Sequence, residues 1–123
     1  MDSGDIISQK ELEILPSDTA DTLYKKVKKL ELEIFKQTWP SIVSKTYNRT
    51  IQRLDRVTHH KKNDLSKEQL IDLDKNIKAE ELINRLRALT TSNIDESAYF
   101  EKDGKLYHIQ VSIKENNNSE KYE

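Results

Sequence analysis

The apolar side chains of this chain follow a regular pattern in only a few stretches, and this limits the folds that it can adopt. The longest pattern has steps of four, three and four residues and consists of Leu23, Val27, Leu30 and Ile34. This spacing places one apolar stripe along an amphipathic helix, which we predict over 19–38. Such a helix is stable mainly through the surface that its stripe covers, so it needs a packing partner.

The ends of this helix carry their own signals. Asp18 or Thr19 can accept hydrogen bonds from the first free amides, and Asp21 suits the positive end of the helix dipole. Trp39 precedes Pro40, and proline disfavours helical geometry in the residue before it. We therefore expect the helix to end or bend at this pair.

A strand is expected before the helix, over 6–15. Its alternation is imperfect, because Ser8 and Lys10 share a face with the apolar residues Ile6, Leu12 and Ile14. Pro16 follows, and proline cannot donate a hydrogen bond to a strand ladder. We predict that the strand ends there.

The region after the helix is harder to interpret. Residues 44–77 are polar and lack glycine, proline and a sustained period, so we predict a linker with one helical turn near 66–71. A second helix is predicted over 78–90, with Asp74 or Asn76 as its cap. Its apolar face consists of Ala79, Leu82, Ile83, Leu86 and Leu89.

The last predicted element is a β-hairpin within "AYFEKDGKLYHIQVSI". Asp103 and Gly104 form a two-residue turn signal, because a type I′ turn needs positive φ at both positions. Alternation after the turn places Tyr107, Ile109, Val111 and Ile113 on one face. Residues 114–123 offer little apolar surface to bury, and we expect them to be disordered.

The composition excludes several classes of protein. Hydrophobic residues make up 34% of the chain, below the roughly 45–50% of a typical domain counted with glycine. The balance of 21 basic and 22 acidic residues argues against nucleic acid or an anionic membrane as a general partner. The sequence has no cysteine and no apolar run long enough for a membrane span, and its first residues lack the basic and apolar regions of a signal peptide, so we expect none. We expect a cytoplasmic protein that lacks part of its core or packs on another surface.

The opening residues form the first candidate for chemistry. Asp2-Ser3-Gly4-Asp5 leads directly into the predicted strand, and a carboxylate at the start of a strand is rigidly held. Glycine would let another group approach closely. The alternative is a common Asx-turn at a strand start, and four residues do not separate the two readings.

The other polar clusters have simpler interpretations. His59 and His60 are adjacent and lack a partner at metal-ligand spacing, so no metal site is expected. The stretch "HHKKND" could contact a phosphate or be a solvated loop. His108 is expected at the surface or at an interface. Four lysines before Glu31 and Glu33 are predicted to form a solvated helix face: Lys25, Lys26, Lys28 and Lys29.

Taken in order, these segments resemble the end of the catalytic domain of the 10-formyltetrahydrofolate-dependent formyltransferases and the segment that follows it. Members carry an Asp-x-Gly-Asp turn, a strand, and a helix that opens with Asp-Thr and then Thr-Leu-Tyr. The turn corresponds here to residues 2–5, and the helix motifs to Asp18-Thr19 and Thr22-Leu23-Tyr24. Downstream, "THHKKND", the Arg87-Ala88 pair and the hairpin are similar to the family as well.

The resemblance implies formyl transfer from 10-formyltetrahydrofolate to an amine. An asparagine in the family polarises the formyl oxygen, a histidine handles the amine proton, and an aspartate orients the histidine and favours its charged form. That aspartate corresponds to Asp2. The asparagine, the histidine and the folate-binding half lie upstream in the family. The resemblance therefore implies a C-terminal portion that is inactive alone.

The acceptor implied by the resemblance is the amino group of a nucleotide-linked sugar. Methionyl-tRNA formyltransferases are the first alternative, but their C-terminal domain is usually basic, and residues 43–123 hold 15 basic and 14 acidic residues. The sugar enzymes instead have short helical and hairpin segments, often used for dimer contacts. A homodimer through the hairpin and the 78–90 helix is thus expected. A non-catalytic interaction module is the second alternative.

These interpretations combine into an α/β fragment. Residues 1–43 would close a catalytic domain with a strand and a long helix, and 44–77 would be a linker. Residues 78–113 would form a C-terminal helix plus hairpin, followed by a disordered tail over 114–123. The family often has a proline- and glycine-rich stretch where this chain has "TSNIDESAYF", so no ligand contact is assigned there.

Overall fold

The computed structural model describes residues 3–117, and it confirms the α/β class, with helices plus one antiparallel hairpin. The α-helices are α1 (Ala20–Val43), α2 (Lys62–Ser66) and α3 (Ala79–Leu89). The strands are β1 (Ala98–Lys102) and β2 (Lys105–Ile109), and single 3₁₀ turns lie at Leu54–Arg56 and Ile94–Glu96. Within the described residues, one compact unit comprises 3–13 with 24–60, and a second comprises 14–23 with 61–117.

The start of α1 confirms Thr19 as its cap. The Thr22 amide donates to Thr19 Oγ1 at 3.3 Å, and the Thr19 amide donates to Thr22 Oγ1 at 2.9 Å. This reciprocal pair satisfies free amides at the helix start, as a capping box does. The Asp18 carboxylate accepts from the Leu15 amide at 2.8 Å and from the Thr22 hydroxyl at 2.9 Å, which fixes the turn before the helix.

The predicted end of this helix is wrong, because α1 continues through Pro40 to Val43. Proline has a helix-compatible φ, and within the last turn its missing amide removes only one hydrogen bond. The Phe35 and Trp39 rings stack with centroids 5.4 Å apart across this turn. The helix then ends in a Schellman motif, in which the Thr46 amide bonds Ser41 O and Lys45 adopts φ 57°.

The strand predicted over 6–15 does not form. Ile6 makes an isolated antiparallel bridge to Thr50, through hydrogen bonds of 2.7 and 2.8 Å, and residues 7–15 have no strand assignment. A strand needs a neighbour along its length, and within residues 3–117 that neighbour extends only to Thr50. The alternation interrupted by Ser8 and Lys10 is consistent with this weak pairing.

The predicted helical turn lies earlier than expected. It occupies Lys62–Ser66 as α2 rather than 66–71, and residues around Leu70 pair instead with β1. The sequence shows no sustained period there, so the position of a single turn depends on local contacts. The Asp64 carboxylate accepts from the Lys61 amide at 2.8 Å and sets the start of α2.

The predicted second helix is confirmed as α3, although its cap is not Asp74 or Asn76. Lys78 occupies the cap position without a side-chain hydrogen bond, and the first turn instead contains Glu80 and Glu81. Two acidic side chains at the positive end of the helix dipole compensate for the missing cap. Leu89, from the predicted apolar face, is buried.

The hairpin is confirmed at the predicted turn. Asp103 and Gly104 have φ values of 52° and 75°, as a type I′ turn requires, and Lys102 pairs with Lys105. The core beside it is small, because Leu89 and Ala98 are the buried hydrophobic residues of the described chain. Ser97 is fully buried and donates to Ile94 O, so the centre of this unit is partly polar.

Candidate functional site

The turn that carries the predicted catalytic residue is only partly described. Asp2 lies outside the described residues, so its catalytic role stays a prediction. Ser3, Gly4 and Asp5 are exposed, and the Gly4 carbonyl accepts a 2.6 Å hydrogen bond from Gln52 Nε2. Together with the bridge of Ile6 to Thr50, this bond holds the turn against residues 50–52. The turn is therefore held by one β-bridge and one side-chain hydrogen bond, and not by a strand.

The residues beside this turn carry positive charge. Arg49 donates to the Tyr47 hydroxyl at 3.0 Å, and its guanidinium lies over the Tyr47 ring, 5.4 Å from the centroid. The hydrogen bond to Tyr47 raises the pKa of Arg49, with a smaller contribution from the charge of Asp5. Arg53 makes an exposed ion pair with Asp55 at 3.3 Å. This part of the chain presents guanidinium groups next to the Ser3–Asp5 turn.

The three histidines have different surroundings. His59, His60 and His108 are all exposed, and no cluster of potential metal ligands occurs among residues 3–117. His108 has partners, since its Nδ1 lies 3.3 Å from Ser97 Oγ and its ring is tilted against Tyr99.

Lys28 of the four-lysine face lies over the Tyr24 ring at 4.8 Å, and the hydrogen bond to Tyr24 raises the pKa of Lys28.

The second unit contains a second candidate surface, the outer edge of β2, which pairs with no other strand among residues 3–117. The Tyr99 amide donates to Gln69 O, and its carbonyl accepts from the Ile71 amide, both at 2.8 Å. Tyr99 therefore directs its backbone groups away from β2, and its partner His108 directs its own groups away from β1. By the same alternation, Leu106 also presents its backbone groups outward. An unpaired edge of this kind can pair with another strand.

Arg87 connects α3 to the turn before α1 within this unit. Its Nε donates to Asp18 O and its Nη2 to Leu15 O, both at 2.7 Å, and its Nη1 donates to Asn84 Oδ1 at 2.8 Å. The Asp21 amide at the start of α1 also donates to Thr90 O at 2.9 Å. The end of α3 thus positions the turn that precedes α1.

A cavity of about 490 Å³ adjoins this contact. It is lined by Ile14, Asp18, Thr19, Leu23, Asn84 and Arg87. Arg87 already binds two backbone carbonyls and Asn84, and the Asp18 carboxylate accepts from Leu15 and Thr22, so both charged groups of the cavity have partners within the chain. We assign it a structural role.

Sequence reasoning missed two of these contacts. Arg87 was noted within a motif, but its bonds to Leu15 and Asp18 join residues about 70 positions apart, and no local pattern reports them. The segment at 47–53 did carry a signal, since Tyr47, Arg49, Ile51 and Arg53 alternate with smaller or neutral polar residues. A period of two is typical of extended chain, so it could have predicted an extended segment around Thr50, although not its partner. A membrane-spanning helix would need both more length and more apolar character than any helix of residues 3–117 shows.

Two family models match the chain, in sequence order. Residues 1–39 match the model described as formyl transferase. Residues 64–115 match the N-formyltransferase dimerization C-terminal domain. The second match contains α3, the hairpin and Arg87, and the first contains the turn to which Arg87 binds.

The similar curated proteins are longer than this chain. It is 38% identical over 109 residues to a methionyl-tRNA formyltransferase from Lactobacillus gasseri, covering 89% of this chain and 33% of that protein. A methionyl-tRNA formyltransferase from Leptospira interrogans is 35% identical over 102 residues, covering 83% of this chain and 31% of that protein. The chain spans about a third of the length of these relatives.

Solved structures share the fold. A 4-N formyltransferase from Francisella tularensis is 28% identical, with a TM-score of 0.84 over 94% of this chain and 47% of that one. A likely sugar N-formyltransferase from Mycobacterium tuberculosis gives a TM-score of 0.85 over 95% of this chain and 50% of that one. Its identity of 24% supports the fold alone.

Proposed function

Because this chain belongs to the formyltransferase family, in which it corresponds to the C-terminal part, we propose that it works within an enzyme that formylates a nucleotide-linked amino sugar. The formyl group would come from 10-formyltetrahydrofolate. In this proposal residues 1–43 close the catalytic domain, 44–77 link it, and 78–113 form the dimer segment, followed by a tail over 114–123. Residues 118–123 of that tail lie outside the described residues.

The observation that carries the choice of acceptor is the charge of the dimerization segment. Residues 64–115 hold eight basic and eleven acidic residues, a net charge of −3. A surface that grips a tRNA needs a positive surplus, because each phosphate contact is made by a cation. A sugar nucleotide needs no such surface on this segment.

Methionyl-tRNA is the second candidate acceptor, and a specific observation favours it. The curated relatives at 38% and 35% identity are both methionyl-tRNA formyltransferases. This similarity supports both conclusions equally: that the chain shares the formyl-transfer chemistry of the family, and that its acceptor is methionyl-tRNA. A non-catalytic interaction module is a third candidate, and it would keep only the dimer contacts.

The proposed chemistry assigns one role to this chain. The acceptor amine attacks the formyl carbon, the C–N bond to the folate breaks, and the amine proton moves through a histidine to the departing nitrogen. Asp2 would orient that histidine and stabilise its charged form. The histidine and the oxyanion-stabilising asparagine would be supplied by the upstream part of the enzyme. Asp2 is thus the one catalytic residue that we propose within this chain.

Two chimeras separate the candidate acceptors. In the sugar chimera, this chain replaces the equivalent residues of the sugar N-formyltransferase from Shewanella. In the tRNA chimera, it replaces those of the Lactobacillus gasseri enzyme. We expect the sugar chimera to formylate its amino sugar and the tRNA chimera to have at least 100-fold less activity than its parent. The opposite pattern, with both chimeras folded by circular dichroism, would assign the chain to tRNA.

We also propose a homodimer that uses α3 and the outer edge of β2. Sedimentation equilibrium should give about twice the 14.4 kDa chain mass. His108→Pro should convert the dimer to monomer, because it removes an outward amide without removing a bond to β1. His108→Asn keeps that amide and is the matched control. A monomeric wild-type chain, or a dimer that tolerates the proline, would contradict this assignment.

A further inference from the structure

The segment that follows α1 is locally basic in a chain that is otherwise acidic. Residues 45–60 contain four basic residues, one acidic residue and two histidines. The rest of the chain contains 17 basic and 21 acidic residues, by subtraction from the totals of 21 and 22. All four basic side chains are exposed: Lys45, Arg49, Arg53 and Arg56. Their positive field is therefore local and faces solvent.

This basic segment borders the turn at the start of the chain. Gln52 reaches the Gly4 carbonyl at 2.6 Å, and Thr50 exchanges two backbone hydrogen bonds with Ile6. Both contacts lie in the same compact unit. Arg49 precedes this anchored pair, and Arg53 follows it. The two guanidinium groups thus flank the point at which the segment touches the turn.

The outward face of the segment combines charge with apolar surface. Around the bridge at Thr50 the side chains alternate, so Arg49, Ile51 and Arg53 share a face. Ile51 is 81% exposed, so its apolar side chain is open to solvent between the two arginines. Arginines can grip phosphate oxygens, and an exposed apolar side chain between them can contact a base or a sugar.

Both guanidinium groups can accept a new anionic partner. Arg49 is oriented by its hydrogen bond to the Tyr47 hydroxyl and by its position over the Tyr47 ring, and that bond uses only one of its five N–H donors. The ion pair of Arg53 with Asp55 is 68% and 63% exposed on its two sides. An exposed pair of this kind is weak, and a phosphate can displace its carboxylate.

We propose that Arg49 and Arg53 form the subsite for the phosphates of the acceptor, beside the Ser3–Asp5 turn. This assignment rests on the proposed function, which places the reacting groups near that turn. It identifies the acceptor as a nucleoside diphosphate derivative, and it makes the two arginines binding residues rather than catalytic ones. A long polynucleotide fits less well, because the chain as a whole has a net charge of −1.

The test is titration of the full-length chain with uridine diphosphate, followed through backbone amide shifts. Binding should perturb the amides of residues 4–6 and 47–53. Arg49→Gln/Arg53→Gln should raise the dissociation constant at least fivefold. Lys29→Gln/Lys36→Gln removes the same charge from exposed positions on α1, and it should change the constant less than twofold.

Three results would overturn the subsite. The first is that uridine diphosphate leaves the amides of 47–53 unperturbed. The second is that both double variants raise the dissociation constant equally. The third is that the wild-type chain binds a short single-stranded RNA but not uridine diphosphate, and that the arginine double variant loses the RNA. Arg49→Lys/Arg53→Lys gives a second measurement and should retain intermediate affinity, because lysine keeps the charge without the planar fork. The titration needs no formyl donor. Intact diphosphate binding with an inactive sugar chimera would count against the proposed function alone.

Discussion

Asp2→Asn in the sugar chimera is expected to lower kcat about 10³-fold, within the range typical of general acid–base contributions. Asparagine has nearly the shape of aspartate, so the partner histidine can still be held in place. It lacks the negative charge that stabilises the imidazolium formed when the amine loses its proton. KM for the acceptor should change less than threefold, because this carboxylate does not bind the sugar. Initial rates at saturating folate donor measure both effects.

Asp5→Asn is the matched control for this substitution. Asp5 belongs to the same turn and is exposed, and removing its charge should change kcat less than twofold. If both variants lose activity equally, the turn acts through its total charge or through its fold. If Asp2→Asn keeps wild-type activity, the catalytic role of Asp2 is wrong.

Arg87→Ala in the chain itself should lower the free energy of unfolding by about 3 kcal/mol, because hydrogen bonds from a charged donor contribute about 1.5–3 kcal/mol each and are not additive. The substitution removes the Arg87 hydrogen bonds to the carbonyls of Leu15 and Asp18. The turn before α1 should loosen first. Urea denaturation followed by circular dichroism gives the energy, and amide hydrogen exchange over 14–23 gives the location.

Arg87→Lys and Arg53→Ala bracket this result. Lysine keeps the charge but cannot reach both carbonyls and Asn84 at once, so it should recover less than half of the loss. Arg53 makes only an exposed ion pair, and its removal should change stability by about 0.5 kcal/mol or less. If the Arg87→Ala variant is as stable as wild type and amide exchange over 14–23 is unchanged, the Arg87 hydrogen bonds do not stabilise the turn before α1.

The elements with strong local signals were predicted well. The period of α3, the Thr19 cap and the Asp103-Gly104 turn depend on neighbouring residues, and all three are present. Local chemistry was less informative about where an element stops. Pro40 predicted an end to α1, but the helix continues for one more turn.

The errors share one physical cause, which is dependence on distant contacts. Residues 6–15 needed a paired neighbour to become a strand, and the pairing is limited to Ile6 with Thr50. A helical turn is predicted near 66–71, but the backbone of Gln69 and Ile71 bonds Tyr99 nearly 30 positions away. Neither partner can be identified from apolar periodicity. The carboxylates and glycine of residues 2–5 already mark a candidate site in the sequence, but the role of Asp2 comes from the family resemblance, and the Arg87 contacts follow from the fold.

The central claim is that this chain contributes Asp2 and a dimer segment to a site whose other groups lie elsewhere in the enzyme. Formyl transfer by the chain alone, measured beside the sugar chimera at equal concentration, tests this claim most directly. We predict product from the chimera and none above background from the chain, with 10-formyltetrahydrofolate and the amino sugar nucleotide supplied to both. Folate-dependent product from the chain alone, or a folded chimera without activity, would contradict it.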